Sequence, residues 1–163
     1  MKTLLAAILI TLATPVVAEA QTSVSLAQGW PLVMKGGDWD ALISSTRVTV
    51  SYGWQVGKGW KVGASLGVRI PMDKPHPVPR VGISAGHKLG KSFALGAGLL
   101  YEVIPPYGGG KPSHFIGMGI SPTFLMKGGV GFSLVTGPGV VLDDLGKPRL
   151  WTWILQPQLS FDF

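Results

Sequence analysis

The last thirteen residues, Trp151 to Phe163, place a large apolar or ring-bearing side chain at every second position: Trp151, Trp153, Leu155, Pro157, Leu159, Phe161 and Phe163. Between them stand Thr152, Gln156, Gln158, Ser160 and Asp162, with Ile154 the one apolar exception. A period of two is the strand period, so the segment carries one oily face and one mostly wet face. Such a strand must lay its oily face either on a protein core or on lipid, and that choice decides the class of fold.

The same alternation runs through the chain. The segment around residues 46–57 sets Val48, Val50, Tyr52, Trp54 and Val56 against Arg47, Thr49, Ser51, Gly53 and Gln55. Residues 60–70 set Trp60, Val62, Ala64, Leu66, Val68 and Ile70 against Lys61, Gly63, Ser65, Gly67 and Arg69. Residues 93–104 repeat the pattern, with Phe93, Leu95, Ala97, Leu99, Tyr101 and Val103 on the bulky face. Three short turns, Gly57-Lys58-Gly59, Leu89-Gly90-Lys91-Ser92 and Met126-Lys127-Gly128-Gly129, each precede such a strand and fit tight antiparallel hairpins. Longer Pro-, Asp- and Gly-containing connections fall at 34–45, 71–79, 105–113 and 143–148. Seven connections predict eight strands, near 22–33, 46–57, 60–70, 80–89, 93–104, 114–125, 130–142 and 149–163. Short and long connections alternate, as when all short turns gather at one end of a barrel and all long loops at the other.

Residue size separates the two architectures that use such strands. A soluble lipocalin-like carrier would turn the oily face inward and show mostly Gly, Ser and Thr to water, a poor soluble surface. A membrane barrel turns the oily face to lipid and packs the small face into the narrow lumen that eight strands leave. Composition favours the second: 46% of residues are hydrophobic, 13% are charged, and the 24 glycines are about twice the average usage. Ten or eleven residues at ~3.3 Å, tilted by about 45°, cover roughly the 25 Å apolar band of such barrels. Aromatics collect at the strand ends: Trp54, Trp60, Phe93, Phe124, Phe132, Phe161 and Phe163 by the short turns, and Trp30, Tyr101, Tyr107, Trp151 and Trp153 by the long loops. Girdles of that kind anchor a barrel at headgroup depth.

At the other end, Met1 and Lys2 precede an apolar run from Leu4 to Val17, and Ala18-Glu19-Ala20 offers an A-x-A cleavage site. This reads as a signal peptide over residues 1–20, removed on export to leave one domain over 21–163. The apolar run is shorter than the ~20 residues of a spanning helix. Cysteine is absent, so the fold has neither disulfides nor thiol chemistry. The net charge of +6 is dispersed along an exported chain, which argues against a nucleic-acid partner.

Taken with the alternating loop lengths and the terminal aromatic, these features resemble the small eight-stranded outer-membrane barrels of the OmpA and OmpX type. The resemblance covers the expected mature chain and is one of architecture, with no catalytic motif. It implies an all-β, eight-stranded, antiparallel up-and-down transmembrane β-barrel, located in the bacterial outer membrane and monomeric. It also implies outer-membrane lipids and lipopolysaccharide as surroundings, and assembly machinery that reads the closing strand ending at Phe163. The implied role is non-enzymatic: membrane integrity, adhesion or surface recognition through the long loops.

Chemistry has few places to sit. Alternation turns Arg47, Lys61, Arg69, Arg80 and Lys88 into the lumen with Glu102 and Asp162, a polar network that would plug the barrel. Cations outnumber carboxylates in that set, so some must reach water at the ends or bind an anion. A lipid-modifying enzyme, of deacylase or acyltransferase type, is the alternative. Its candidates are His114, Ser113, His76 and Asp73, a Ser, His and Asp set that activates a nucleophile where the groups converge. No ligand spacing suggests a metal, and no cofactor is expected. His87 falls on the oily row beside a short turn, an interfacial position. Lys74, Arg80, Lys111, Lys147 and Arg149 could meet lipopolysaccharide phosphates. Pro122, Pro138 and Pro157 lie inside strands, where each removes a ladder donor; local bulges are the expectation, and a weakened lateral seam the functional alternative.

Overall fold

The computed structural model describes residues 20–29, 32–35, 38–41, 44–72, 76–106, 111–143 and 147–162. The expected signal peptide, apart from Ala20, lies outside them, as do Trp30, Asp73, Tyr107 and Phe163. The described strands are β1 Ala20–Gly29, β2 Leu32–Lys35, β3 Asp38–Ala41, β4 Ser45–Gln55, β5 Trp60–Pro71, β6 Val78–Lys88, β7 Phe93–Ile104, β8 Ser113–Leu125, β9 Val130–Asp143 and β10 Lys147–Asp162. Eight of them, β1 and β4 to β10, run antiparallel in sequence order, and β10 returns to pair with β1 from Ser23↔Asp162 to Ala27↔Gln158. The sheet is a closed eight-stranded up-and-down barrel.

One expected loop contains strands. The connection read as 34–45 holds β3 and the second half of β2, which pair as a hairpin, and β2 also joins β10 at Leu32↔Trp153 and Val33↔Thr152. These pairs keep the register of β1 on β10, so the wall continues upward past the barrel proper. In sequence β2 and β3 are separated by Gly36 and Gly37 alone, a two-residue hairpin signal.

The three short turns are built alike. Val56 N–H donates to Trp60 O, Leu89 N–H to Phe93 O and Met126 N–H to Val130 O, at 2.8–2.9 Å. Each turn contains glycine at positive φ, from 71° at Gly57 to 137° at Gly90, where a side chain would be strained.

The faces sort as the alternation requires. Leu66 is 66% exposed, and Val50, Val62, Ile83, Leu99, Met118, Ile120, Phe132 and Leu155 also stand on the outer surface. The interior instead holds Ser25, Ser45, Arg47, Glu102, Ser133, Thr152 and Gln156, all buried. That orientation rules out the lipocalin-like alternative, whose core would have to be the oily row. Ile154, the odd residue of the last strand, points inward and is buried together with Phe115.

Inward glycines make room for the large lumen groups. A Cβ on Gly139 would collide with the Phe115 ring, and one on Gly53 with the Lys61 chain; one on Gly29 would come within 3.1 Å of Arg47 Cζ. Glycine is abundant because a narrow barrel can hold a long side chain only where its neighbour has none.

Pro122, Pro138 and Pro157 form no bulges; the register shift of β10 on β9 lies between Pro148 and Leu150. The β8–β9 pairing keeps one register from Ser113↔Asp143 to Leu125↔Gly131, but skips Met118 and Gly119 and then Ser121 and Pro122. By that register Pro122 faces Leu134, and Pro138 faces Met118. Both prolines therefore interrupt the same seam, while each keeps its partner on the opposite side, Leu95 and Trp153. Pro157 pairs with Leu134 of β9 and by register faces Gln28 of β1, where the closing ladder stops.

Candidate functional site in the barrel lumen

Four neighbouring strands contribute one charged cluster to the half of the lumen nearer the long loops. Arg47 of β4, Arg69 of β5, Arg80 of β6 and Glu102 of β7 alternate inward, and the pairings Arg47↔Arg69 and Arg80↔Glu102 hold them at similar height. Arg69 Nε donates to Glu102 Oε2 at 2.8 Å, with the Glu102 side chain 2% exposed. Arg47 is 3% exposed, and its Nε and Nη1 have no partner among the described residues; Nε and Nη1 of Arg80 are likewise buried and unpartnered. One carboxylate thus faces three guanidinium groups. Phe115, Ile154, Thr152 and Val78 are buried around this level and fill the rest of the cross-section.

The other half is open. A cavity of about 970 Å³ occupies the lumen toward the short turns, lined by Gly, Ser, Thr and Gln, with Arg80, Gly117 and Ile154 on its boundary with the plugged half. Near its mouth stand Lys61, Lys88 and Asp162. Lys61 Nζ donates to Gln21 Oε1 at 3.0 Å, and Lys88 is exposed. The lumen set read from sequence therefore divides in two: Arg47, Arg69, Arg80 and Glu102 cluster in one half, whereas Lys61, Lys88 and Asp162 stand near the entrance of the other.

Two of the catalytic candidates, Ser113 and His114, are turned away from each other. Ser113 and His114 are consecutive on β8 and so point to opposite faces of the wall. Ser113 Oγ donates to Asp143 Oδ1 at 3.1 Å on the lumen side, where Asp143 also pairs with Arg149. His114 lies on the outer face, its Nδ1 2.6 Å from the Tyr101 hydroxyl and its ring stacked on Tyr101 at 5.8 Å. His76 is exposed in the β5–β6 connection, and Asp73 lies outside the described residues. A period-two reading already separates Ser113 from His114, although they are adjacent in sequence.

The described girdle aromatics sit outward at the expected ends. Trp60, Trp54, Phe124, Phe132, Phe161, Trp151 and Trp153 are exposed; Phe93 packs edge-on against Phe124 at 5.5 Å, and Tyr101 on His114. His87 packs against Trp60 at 4.7 Å beside the short turn. Trp153 Nε1 donates to Thr136 Oγ1 at 2.8 Å on the outer face, which satisfies both groups where lipid offers no partner. Sequence reading missed this pair because Thr136 sits at an otherwise apolar position.

No protein-family model matches the chain, and no curated protein is similar to it. Solved structures are. Neisserial surface protein A superposes with a TM-score of 0.58 at 10% identity, covering 87% of this chain and 97% of that one. The N-terminal β-barrel domain of Pseudomonas aeruginosa OprF gives 0.49 at 13% identity, covering 89% and 100%. A designed transmembrane β-barrel gives 0.49 at 8%, covering 88% and 95%. Together with the outward oily face, the likeness to Neisserial surface protein A establishes that this chain has the fold of a small eight-stranded outer-membrane β-barrel.

Proposed function

We propose that this protein resides in the bacterial outer membrane as a monomer and acts without catalysis, in membrane integrity, adhesion or recognition through its long loops. The observation that carries the reading is the combination of a continuous apolar outer belt with a lumen closed at the long-loop half by Arg47, Arg69, Arg80, Glu102 and Phe115. A barrel closed in that way presents a surface on its loop side and is not a through-going pore. The separation of Ser113 from His114 across the wall weighs against the lipid-modifying alternative. Neisserial surface protein A, by its name, is a surface protein, which accords with loops facing outward.

In this reading the short turns carrying Lys58, Lys91 and Lys127 face the periplasm, and the long loops meet lipopolysaccharide. The terminal strand β10, which Phe163 follows in sequence, is the segment that assembly machinery would engage. The test is fractionation of expressing cells, followed by gel mobility of the detergent-extracted protein before and after boiling. Recovery in the outer membrane with a faster unboiled band is expected; recovery in the soluble periplasm would overturn the proposal. Lipid A acyl chains, compared by mass spectrometry with and without expression, should be unchanged.

A further inference from the structure

The cavity in the short-turn half has a charge imbalance that its walls do not resolve. Its described lining includes three cationic side chains, Lys61, Arg80 and Lys88, against one carboxylate, Asp162. Behind Arg80 stand Arg47, buried and with two unpartnered nitrogens, and the Arg69–Glu102 pair. Asp143, the remaining described acidic group of the lumen face, is occupied by Arg149 and Ser113. Burying excess cationic charge in a low-dielectric wall is expensive unless a counter-charge accompanies it.

The geometry points to an anion site at the inner end of this cavity, and we propose that it takes a soluble phosphate-class oxyanion entering from the short-turn end, with Arg80 as its principal contact. A guanidinium N–H makes a charge-assisted hydrogen bond to an oxyanion oxygen, and with Nε and Nη1 of Arg80 buried that contact falls to its Nη2. Ser65, paired with Gly82 two residues along β6 from Arg80, and Ser84, two residues farther toward the short turns, add hydroxyls to the cavity wall. Lys61 and Lys88 at the mouth raise the local concentration of anions. Arg47 supplies positive charge from behind without reaching the cavity. The site rests on the fold alone and requires no particular role for the loops.

The experiment uses the full mature chain refolded in a phosphate-free, uncharged detergent. The thermal unfolding midpoint is followed while inorganic phosphate replaces chloride at constant ionic strength. A saturable rise with phosphate, and with sulfate, is expected. Arg80→Gln should weaken the apparent affinity about tenfold or more, the consequence of losing a charge-assisted contact. Lys58→Gln, at a turn tip outside the cavity lining, should retain the rise. Unboiled gel mobility reports whether each variant is folded. Should Arg80→Gln fail to fold, Ser65→Leu sets a bulky apolar side chain into the cavity wall while leaving the arginines in place, and it too should weaken the apparent affinity. Equal midpoints in phosphate and chloride, or an apparent affinity unchanged in folded Arg80→Gln or in Ser65→Leu, would overturn the site. A rise given only by micelles doped with phosphatidylglycerol would overturn the soluble ligand.

Discussion

The ring of Phe115 occupies the space that a side chain on Gly139 would need, with β8 and β9 paired so that Gly139 stands opposite Gly117, two residues from Phe115. This is how an eight-stranded lumen accommodates one of its few large apolar groups. Gly139→Val should therefore lower stability by about 1–3 kcal/mol, the usual cost of overpacking. Urea unfolding in lipid vesicles measures it. Adding Phe115→Leu should restore part of the loss, which a purely backbone effect at Gly139 would not allow.

Glu102 is the sole carboxylate in contact with the arginine cluster among the described residues, and its side chain is 2% exposed. Glu102→Gln leaves three guanidinium groups without a counter-charge and is expected to destabilise the barrel by about 3–5 kcal/mol, as when one partner of a buried pair is removed. Arg69→Met combined with Glu102→Met should cost markedly less than the single change. With Arg69→Met and Glu102→Met also measured singly, the comparison is a double-mutant cycle read by the same unfolding assay.

Pro122 and Pro138 each deny a donor to the β8–β9 seam, facing Leu134 and Met118 by register. Amide exchange at Met118 and Leu134 should be faster than at Leu99 and Leu100 of β7, whose pairing with β8 is uninterrupted. Pro138→Val restores one ladder bond worth about 1 kcal/mol. It also frees the unfolded chain, at a cost of about 0.4–1 kcal/mol. Global stability should change little while local exchange slows severalfold, and an unchanged exchange rate would contradict the seam.

Ser65 and Leu66 are neighbours on β5 with opposite directions, Ser65 lining the cavity and Leu66 66% exposed on the outer face. The chain has no cysteine, so Ser65→Cys and Leu66→Cys can each carry the only thiol. In vesicles a small water-soluble maleimide should label Ser65→Cys and leave Leu66→Cys unmodified until detergent is added. Leu66→Arg should lower stability by about 2–4 kcal/mol, the depth-dependent cost of a lipid-facing charge.

Much of this architecture is written in local periodicity. A period of two states which way each side chain points relative to its neighbours, and residue size states which face meets lipid, so the barrel, its strand count and its outward Trp, Leu and Val residues follow from the chain alone. The short turns follow too, because Gly57, Gly90 and Gly128 stand where positive φ is required. Relationships across strands are another matter, since period carries no information on register. Only the closed sheet decided that Arg47, Arg69, Arg80 and Glu102 meet at one level while Lys61, Lys88 and Asp162 gather at the far mouth. Only register decided that Pro122 and Pro138 fall on one seam without a bulge, and that β2 rejoins β10 above the barrel. A strand's own sequence sets the direction of its side chains; their company is set by how far each strand is staggered against the next, a property of the whole closed sheet.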